Sequence, residues 1–159
     1  MSSHILEGTR DIVMFSLDEP RYALPLSLVE RVVRIVEITP LPKAPDIVMG
    51  VINMQGQVIP VINVRRRFRL PEREIKLEDQ LIIVRTPKRM VALVADSVSG
   101  VHRLEERELV IAKQELPYAG YIEGVVKLGQ GLFLICDLDQ FLSLEEEKSL
   151  NTAVSESSQ

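Results

Sequence analysis

Apolar residues in this chain occur in short runs rich in Val, Ile and Leu, separated by polar turns such as Gln55-Gly56 and Thr86-Pro-Lys88. Short runs of this composition are typical of strands, and no long helical period lies between them. The pattern therefore predicts a mainly β protein. The ten predicted strands are Asp11 to Leu17, Arg21 to Leu26, Val32 to Ile38, Ile47 to Met54, Gln57 to Ile62, Gln80 to Arg85, Arg89 to Ala95, Gly100 to Leu104, Tyr121 to Leu128 and Leu132 to Cys136.

The chain carries two related copies of one segment. Gly50 to Asn63 resembles Gly124 to Asp137 at an offset of 74 positions, and Tyr22 to Arg34 resembles Val91 to Arg103 at an offset of 69. Two matches in the same order at similar offsets favour internal duplication over chance. Five strands per copy, with close spacing, predict two small barrels.

Capping residues predict short helices. A side-chain oxygen at Ser27, Asn63 or Asp96 can accept a hydrogen bond from the free amides of one helical turn, so we expect a single turn after each. A longer helix is predicted to begin near Asp137 and to continue into the acidic tail. From Leu144 onward few residues can be buried, so the tail should fray. The expected flexible termini are residues 1–10 and 144–159.

Composition bounds the class of protein. A chain of 159 residues with 46% hydrophobic content can bury one compact core or two interlocked smaller ones. No window approaches the roughly 20 apolar residues that span a bilayer. The N-terminal residues lack the pattern of a secretory signal, so a cytoplasmic protein is expected. Cys136 is the single cysteine and should be a small buried residue.

Charge argues against a nucleic-acid binder. The net charge is −4, and only 4% of residues are aromatic, with no Trp for base stacking. The segment Arg65-Arg-Arg-Phe-Arg69, with Arg73 beyond it, is locally basic, but acidic residues between positions 72 and 79 offset it. We therefore interpret this segment as a solvated helix face or a partner-binding surface.

Residues suited to catalysis are scarce. The two histidines, His4 and His102, are the side chains whose unperturbed pKa permits base catalysis near neutral pH. His4 lies in a terminus expected to be loose, and His102 is expected at a strand surface. No zinc-ligand spacing, phosphate-binding glycine loop or Gly-x-Ser-x-Gly motif is present. The sequence predicts a protein that is not an enzyme and has no cofactor or metal.

Seven motifs follow one another along the chain. They are Tyr22-Ala-Leu-Pro-Leu26, Val29-Glu-Arg-Val-Val-Arg34, Ile38-Thr-Pro-Leu-Pro-Lys-Ala-Pro45, Gly50-Val-Ile-Asn53, Val58-Ile-Pro-Val-Ile-Asn63, Ala92-Leu-Val-Ala-Asp96 and Asp137-Leu-Asp-Gln-Phe-Leu-Ser143. In this order they resemble the CheW family of chemotaxis coupling proteins over about residues 11–143, which we take as one CheW-like domain. The family resemblance implies two intertwined five-stranded SH3-like β-barrels with approximate two-fold symmetry. We expect the first barrel at roughly 20–79 and the second at roughly 80–136 plus the N-terminal strand.

The resemblance implies an adaptor that couples the cytoplasmic tips of methyl-accepting chemoreceptors to the regulatory domain of the histidine kinase CheA. Such a protein is recruited to the membrane-associated receptor array without inserting into the membrane. In the family, receptor contact maps to the groove between the barrels. A larger side chain at Gly50 is expected either to enter this groove or to force a backbone position that glycine tolerates. Taken singly, Val32 and Val101 are slightly better explained by core burial. The receptor-binding residues that the resemblance implies are Val29, Arg31, Val32, Gly50, Gln55, Gly100 and Val101.

Two of these positions depart from the family pattern. Many members carry Arg where this chain has Gln55, and an acidic residue is common where it has Arg31. Both changes bear on which receptor class is served. Two other functions stay open: a detached kinase regulatory domain, and a small ligand-binding β-barrel, which a large closed pocket with convergent polar residues would favour.

Overall fold

The computed structural model describes residues 11–18, 21–112, 121–129 and 131–157. This part of the chain contains two α-helices, α1 (Val64–Arg67) and α2 (Leu144–Ser157), and 3₁₀ turns at Leu26–Leu28, Glu106–Glu108 and Leu138–Gln140. The strands are β1 Asp11–Ser16, β2 Arg21–Pro25, β3 Val29–Arg34, β4 Val48–Met54, β5 Gln57–Ile62, β6 Gln80–Arg85, β7 Met90–Ala95, β8 Ser97–Arg103, β9 Leu109–Ala112, β10 Ile122–Leu128 and β11 Gly131–Cys136.

The strands form two sheets. Sheet I has the order β8-β1-β2-β11-β10-β9, and sheet II has the order β3-β6-β7-β5-β4. Within the described residues the outer strands of a sheet do not pair with each other, so both sheets stay open and SH3-like instead of closing into barrels. All ten predicted strands are present with shifted ends. Strand β9 was missed because a four-residue apolar run is too short to identify by periodicity.

The internal repeat is confirmed by strand register. In sheet II Arg34 pairs with Gln80, and in sheet I the pair Arg103 and Asp11 occupies the equivalent place at an offset of 69. The parallel pairs also correspond, because Val61 opposes Ala92 as Ile135 opposes Ala23. The backbone therefore repeats with pseudo-two-fold symmetry.

The two copies exchange their first hairpins. Strands β1 and β2 come from the first copy but lie in sheet I, which otherwise holds strands β8 to β11. Strands β6 and β7 come from the second copy and lie in sheet II. The expected bounds were 20–79 for one barrel and 80–136 plus the N-terminal strand for the other. They place β1 with β8 to β11 as the strand order does, but they assign β2, β6 and β7 to the other sheet, since sequence similarity shows which strands are alike and not which strands pair. The prediction of two intertwined halves is confirmed, because each sheet contains a hairpin from the other copy.

The main core lies between the sheets. It joins buried residues of both sheets to the 3₁₀ turn after β11 and to α2. Aromatic rings line this core: Tyr22 stacks on Phe68 with centroids 4.8 Å apart, and Phe68 meets Phe141 edge to face at 5.7 Å. Cys136 is fully buried here, and burial raises the pKa of its thiol well above the ordinary value. Each sheet also encloses a smaller apolar cluster of its own.

The predicted caps have mixed outcomes. Asn63 caps α1 as expected, since its side-chain oxygen accepts a hydrogen bond from the Arg66 amide at 3.0 Å. Ser27 lies inside a 3₁₀ turn that begins after Pro25, so it does not cap a following turn. No helix follows Asp96 either, because β8 begins at Ser97 and the carboxylate binds arginine side chains. The longer helix predicted to run from near Asp137 into the tail is wrong, because a 3₁₀ turn at Leu138–Gln140 ends before the separate helix α2 begins at Leu144.

The acidic tail is ordered as far as Ser157, and the expectation that it frays from Leu144 is wrong. The Oγ atom of Ser143 accepts a hydrogen bond from the Glu146 amide, while the Glu146 carboxylate accepts one from the Ser143 amide. This capping box starts α2, and Leu150 and Ala153 are buried against the core. Residues 1–10, with His4, lie outside the described residues. No helix in the described ranges is long and apolar enough to cross a membrane.

Candidate partner-binding surface

Strand β3 presents three of the predicted receptor-binding residues on an edge of sheet II. Its register with β6 shifts between Val29 and Arg31, leaving Glu30 as an extra residue in a bulge. Val29 is half-buried against the main core, whereas Arg31 is exposed and Val32 is 36% exposed. No ion pair involves Arg31 within the described chain, although Glu30 beside it pairs with Arg85.

Strand β8 is the symmetry-related edge in sheet I. At the offset of 69, Gly100 and Val101 take the places of Arg31 and Val32, and they pair with β1. Val101 is 58% exposed. A Cβ atom at Gly100 would meet nothing within 4 Å, so no packing requires a glycine there. The slight preference for core burial of Val32 and Val101 is wrong, because the two side chains are 36% and 58% exposed on edge strands.

Gly50 lies on β4, the opposite edge of sheet II, and it is buried. A Cβ atom here would lie 2.3 Å from the Thr39 carbonyl oxygen and 2.9 Å from a methyl group of Ile38. Position 50 requires glycine because the Thr39 backbone packs so closely against it that no Cβ atom fits. Of the two expectations for a larger side chain at Gly50, the geometry supports the backbone constraint, since the side chain would collide with the protein's own backbone before it reached a groove.

Gln55 forms the tip of the β4–β5 hairpin with Gly56. Its φ is 53°, and Gly56 follows at 86°, the left-handed pair of a two-residue hairpin turn. The Gly56 amide donates a 2.9 Å hydrogen bond to the Asn53 side chain, which fixes the turn. The Gln55 side chain is exposed and available to a partner.

The strand order places the seven predicted residues at three edges. Val29, Arg31 and Val32 lie on β3, Gly100 and Val101 lie on β8, and the last two lie on the β4 hairpin. Two of these edges are related by the internal symmetry, and the third is not. A single groove that contains all seven residues stays a prediction.

An ionic cluster near these edges joins three separate connections of the chain. Arg65 of α1 is 8% exposed and donates to Asp18 between β1 and β2 at 2.5 Å. It also holds both carboxylate oxygens of Asp96, between β7 and β8, at 2.7 and 2.8 Å. We call Asp18, Arg65, Arg73, Asp79 and Asp96 the ionic clasp. Because Asp96 precedes β8 directly, the clasp fixes where that edge strand begins.

The second arginine of the clasp extends it to the loop before β6. Arg73 donates to both oxygens of Asp79, at 2.9 and 2.7 Å, and to Asp96 at 2.5 Å. Burial alone would raise the pKa of Asp79, but Arg73 and the Lys76 amide hold that pKa below its usual range. For Asp96 burial again opposes the shift, and Arg65 together with the Asp18 amide lowers the pKa.

The basic segment 65–69 is therefore largely neutralised within the chain. Arg66 pairs with Glu72, and Arg67 holds both oxygens of Glu146 at 2.8 Å. The interpretation of this segment as a solvated or partner-binding face is wrong for Arg65 and Arg67, which are mostly buried. Arg69 is exposed. Sequence spacing hid these pairs because most partners lie far along the chain.

The described residues include one of the two histidines, His102. His102 lies on β8 as predicted, and its Nε2 is 3.1 Å from Glu108. Within the described ranges no group of three or more metal-binding side chains occurs. A cavity of about 650 Å³ lies between the β6–β7 turn and the segment after β11. Two of its ionic lining side chains, Arg67 and Glu147, already pair with Glu146 and Arg89.

Comparisons with known proteins agree with this architecture. The chemotaxis protein CheW of Thermotoga maritima is 30% identical over 132 residues, covering 83% of this chain and 87% of that protein. The CheW of Bacillus subtilis is 30% identical over 151 residues, covering 94% and 96%. The crystal structure of the scaffolding protein TtCheW from Thermoanaerobacter tengcongensis superposes with a TM-score of 0.78 at 29% identity, covering 87% of this chain and 95% of that one. The CheW-like domain profile matches residues 11–146, and the chain belongs to the CheW family.

Proposed function

We propose that this chain is a non-catalytic adaptor that bridges the cytoplasmic tip of a chemoreceptor to the regulatory domain of CheA. Membership of the CheW family makes it a chemotaxis coupling protein, and the proposal concerns its partners. One observation carries the receptor assignment: both symmetry-related edge strands expose a valine, Val32 in sheet II and Val101 in sheet I. Apolar side chains that are left exposed at equivalent places suit a partner that covers both.

A receptor tip is a helical hairpin, and the chemistry of these edges fits one. Val32 and Val101 offer apolar side chains to the hairpin's apolar face, while Arg31, which has no ion pair within the described residues, offers a cation. Gly100 has no side chain, which lets a helix approach the β8 backbone closely. An interface with an apolar centre and a charged rim is typical of transient partners.

The remaining features of the proposal are absences. The protein uses no cofactor, and its net charge of −4 disfavours nucleic acid. It works in the cytoplasm and reaches the membrane by binding the receptor array, without inserting into the bilayer. The alternative of a ligand-binding barrel is less favoured, since Arg67 and Glu147 at the cavity of about 650 Å³ are already paired.

The receptor half of the proposal is tested by titrating a chemoreceptor tip fragment with Val32→Asp and Val101→Asp variants. Each carboxylate must be desolvated when the partner binds, so affinity should fall by about tenfold or more. Leu132→Asp is the matched control, because Leu132 is 58% exposed on β11, away from both edges. If Leu132→Asp weakens binding as much as the other two, the edge strands do not form the receptor site.

The kinase half is tested by reconstituting receptor, CheA and this chain on membranes and measuring phosphorylation. Omission of the chain should abolish receptor control of the kinase, and the Val101→Asp variant should restore little of it. A variant that still binds the isolated CheA regulatory domain but fails in the reconstituted assembly would separate the two surfaces. Receptor control that persists without the chain would refute the adaptor role.

A further inference from the structure

Helix α2 makes contacts whose strength differs between its two halves. The N-terminal half is held firmly by its capping box and by two mostly buried ion pairs, Arg67–Glu146 and Arg89–Glu147. Leu150 is fully buried in the main core. The family profile ends at residue 146, so nearly all of this helix lies beyond the matched domain.

The C-terminal half of α2 contacts the segment 39–44. Glu156 pairs with Lys43 at 3.3 Å, and both side chains are largely exposed. Val154 packs on the main core beside Leu41 and lines an apolar groove with Thr39 and Leu41. Ala153 in this half is also buried, but the ion pair is exposed and contributes little, so the half is held less firmly than the first.

The segment 39–44 in turn covers the free edge of β4. Thr39 and Val51 form a single bridge with two backbone hydrogen bonds, of 2.9 and 2.8 Å. In sheet I the equivalent edge, on β10, is covered by strand β9 through three residue pairs. Sheet II therefore protects its β4 edge with one bridge where sheet I uses a strand. A cover of this kind needs support from elsewhere.

We infer that α2 is a strap whose C-terminal half, residues 152–157, holds segment 39–44 on the β4 edge. When this half detaches, the Thr39–Val51 bridge opens and the backbone of β4 at Val51 becomes free. The first half of the helix stays docked and serves as the hinge. The strap therefore connects helix α2 to the β4–β5 hairpin that carries Gln55. This inference does not depend on the proposed receptor site.

Hydrogen exchange on the whole chain tests the strap. Val154→Asp places a carboxylate against Leu41, so the amides of Thr39 and Val51 should exchange about tenfold faster or more. Exchange in β6 and β7 should not change. Ser155→Asp is the matched control, because Ser155 is exposed on the same turn of helix. Unchanged exchange at Thr39 and Val51 would overturn the proposal.

A charge reversal tests the same contact without touching the core. Glu156→Lys faces Lys43 with a like charge, and exchange at Thr39 and Val51 should rise about two- to fivefold at low salt. The double variant Lys43→Glu with Glu156→Lys should restore the original rate. Acceleration in the single variant without rescue in the double, or acceleration spread evenly over both sheets, would mean that α2 supports general stability and is not a strap.

Discussion

The two sheets share one pattern of strand pairing, but they differ in the side chains at equivalent positions. On the edge strands, sheet II carries the cation Arg31 where sheet I carries Gly100. After the last strand of each copy, the buried Arg65 of the clasp stands where the second copy has Asp139. The duplication thus preserved strand register, which depends on backbone pairing, while the residues that meet partners or hold connections diverged.

Breaking the clasp should produce the largest difference between the two copies. Arg65→Ala leaves Asp96 partly buried without its main partner, so the free energy of unfolding should fall by about 2 to 4 kcal/mol. Arg66→Ala is the matched control: it removes an exposed pair with Glu72 and should cost less than about 1 kcal/mol. Urea unfolding of both variants measures this. Equal losses would show that the clasp contributes no more than a surface ion pair.

The two glycines provide the next largest contrast. Gly50→Ala forces a Cβ atom against the Thr39 carbonyl oxygen and should destabilise the fold by about 1 to 3 kcal/mol. Gly100→Ala meets open space, so it costs only the strain of its φ of 137°, about 1 kcal/mol. Thermal unfolding separates them. If Gly100→Ala is the more damaging, then backbone strain outweighs packing at these edges.

Acid should weaken the clasp in a defined direction. The pKa values of Asp79 and Asp96 are lowered in the folded protein, so their contribution to stability is present above the ordinary value of 3.8. It is lost as the pH falls through the lower, folded-state values. Stability of the wild type should therefore drop below about pH 4. In the Arg65→Ala variant the drop in stability should be shallower, because Asp96 loses one of the two arginines that lower its pKa. Identical pH profiles would contradict this.

Much of the fold is readable from the sequence because strands have a local pattern. The ten predicted strands and the Asn63 cap depend on neighbouring residues only. The hairpin exchange and the Arg65–Asp96 pair depend on contacts between distant segments, which no single-sequence pattern encodes. The capping box of Ser143 with Glu146 was available in the sequence and was missed, because the polar composition of the tail was given more weight.

The candidate site was predictable only in part. The resemblance named Val32 and Val101, whose exposure on equivalent edge strands supports a role in binding. It also named Gly50, whose burial against Thr39 gives it a structural reason independent of any partner. Apolar residues on an edge strand look the same in sequence whether they face the core or the solvent, since strand bulges alter the alternation of faces.

The smallest expected effects are those of changes at Arg31 and Gln55. These two residues test the contrast in charge between the β3 edge and the tip of the β4–β5 hairpin. Arg31 is exposed and unpaired within the described chain, so it can meet a receptor carboxylate, whereas Gln55 offers one neutral amide. Arg31→Ala should lower receptor affinity by about two- to fivefold and reduce its salt dependence, and Gln55→Ala should do less. Titration of a receptor tip fragment at low and high salt measures both.

Two further variants decide whether these residues are matched to the receptor. Gln55→Arg should not improve binding to the native partner, because Arg31 already supplies the positive charge that would pair with a receptor carboxylate. Arg34→Ala is the control, since Arg34 is exposed on the same strand without an ion pair in the described residues. A specific ion pair depends on the position of the cation as well as on its sign. A clear gain in affinity from Gln55→Arg, or equal losses from Arg31→Ala and Arg34→Ala, would therefore mean that net charge alone governs binding.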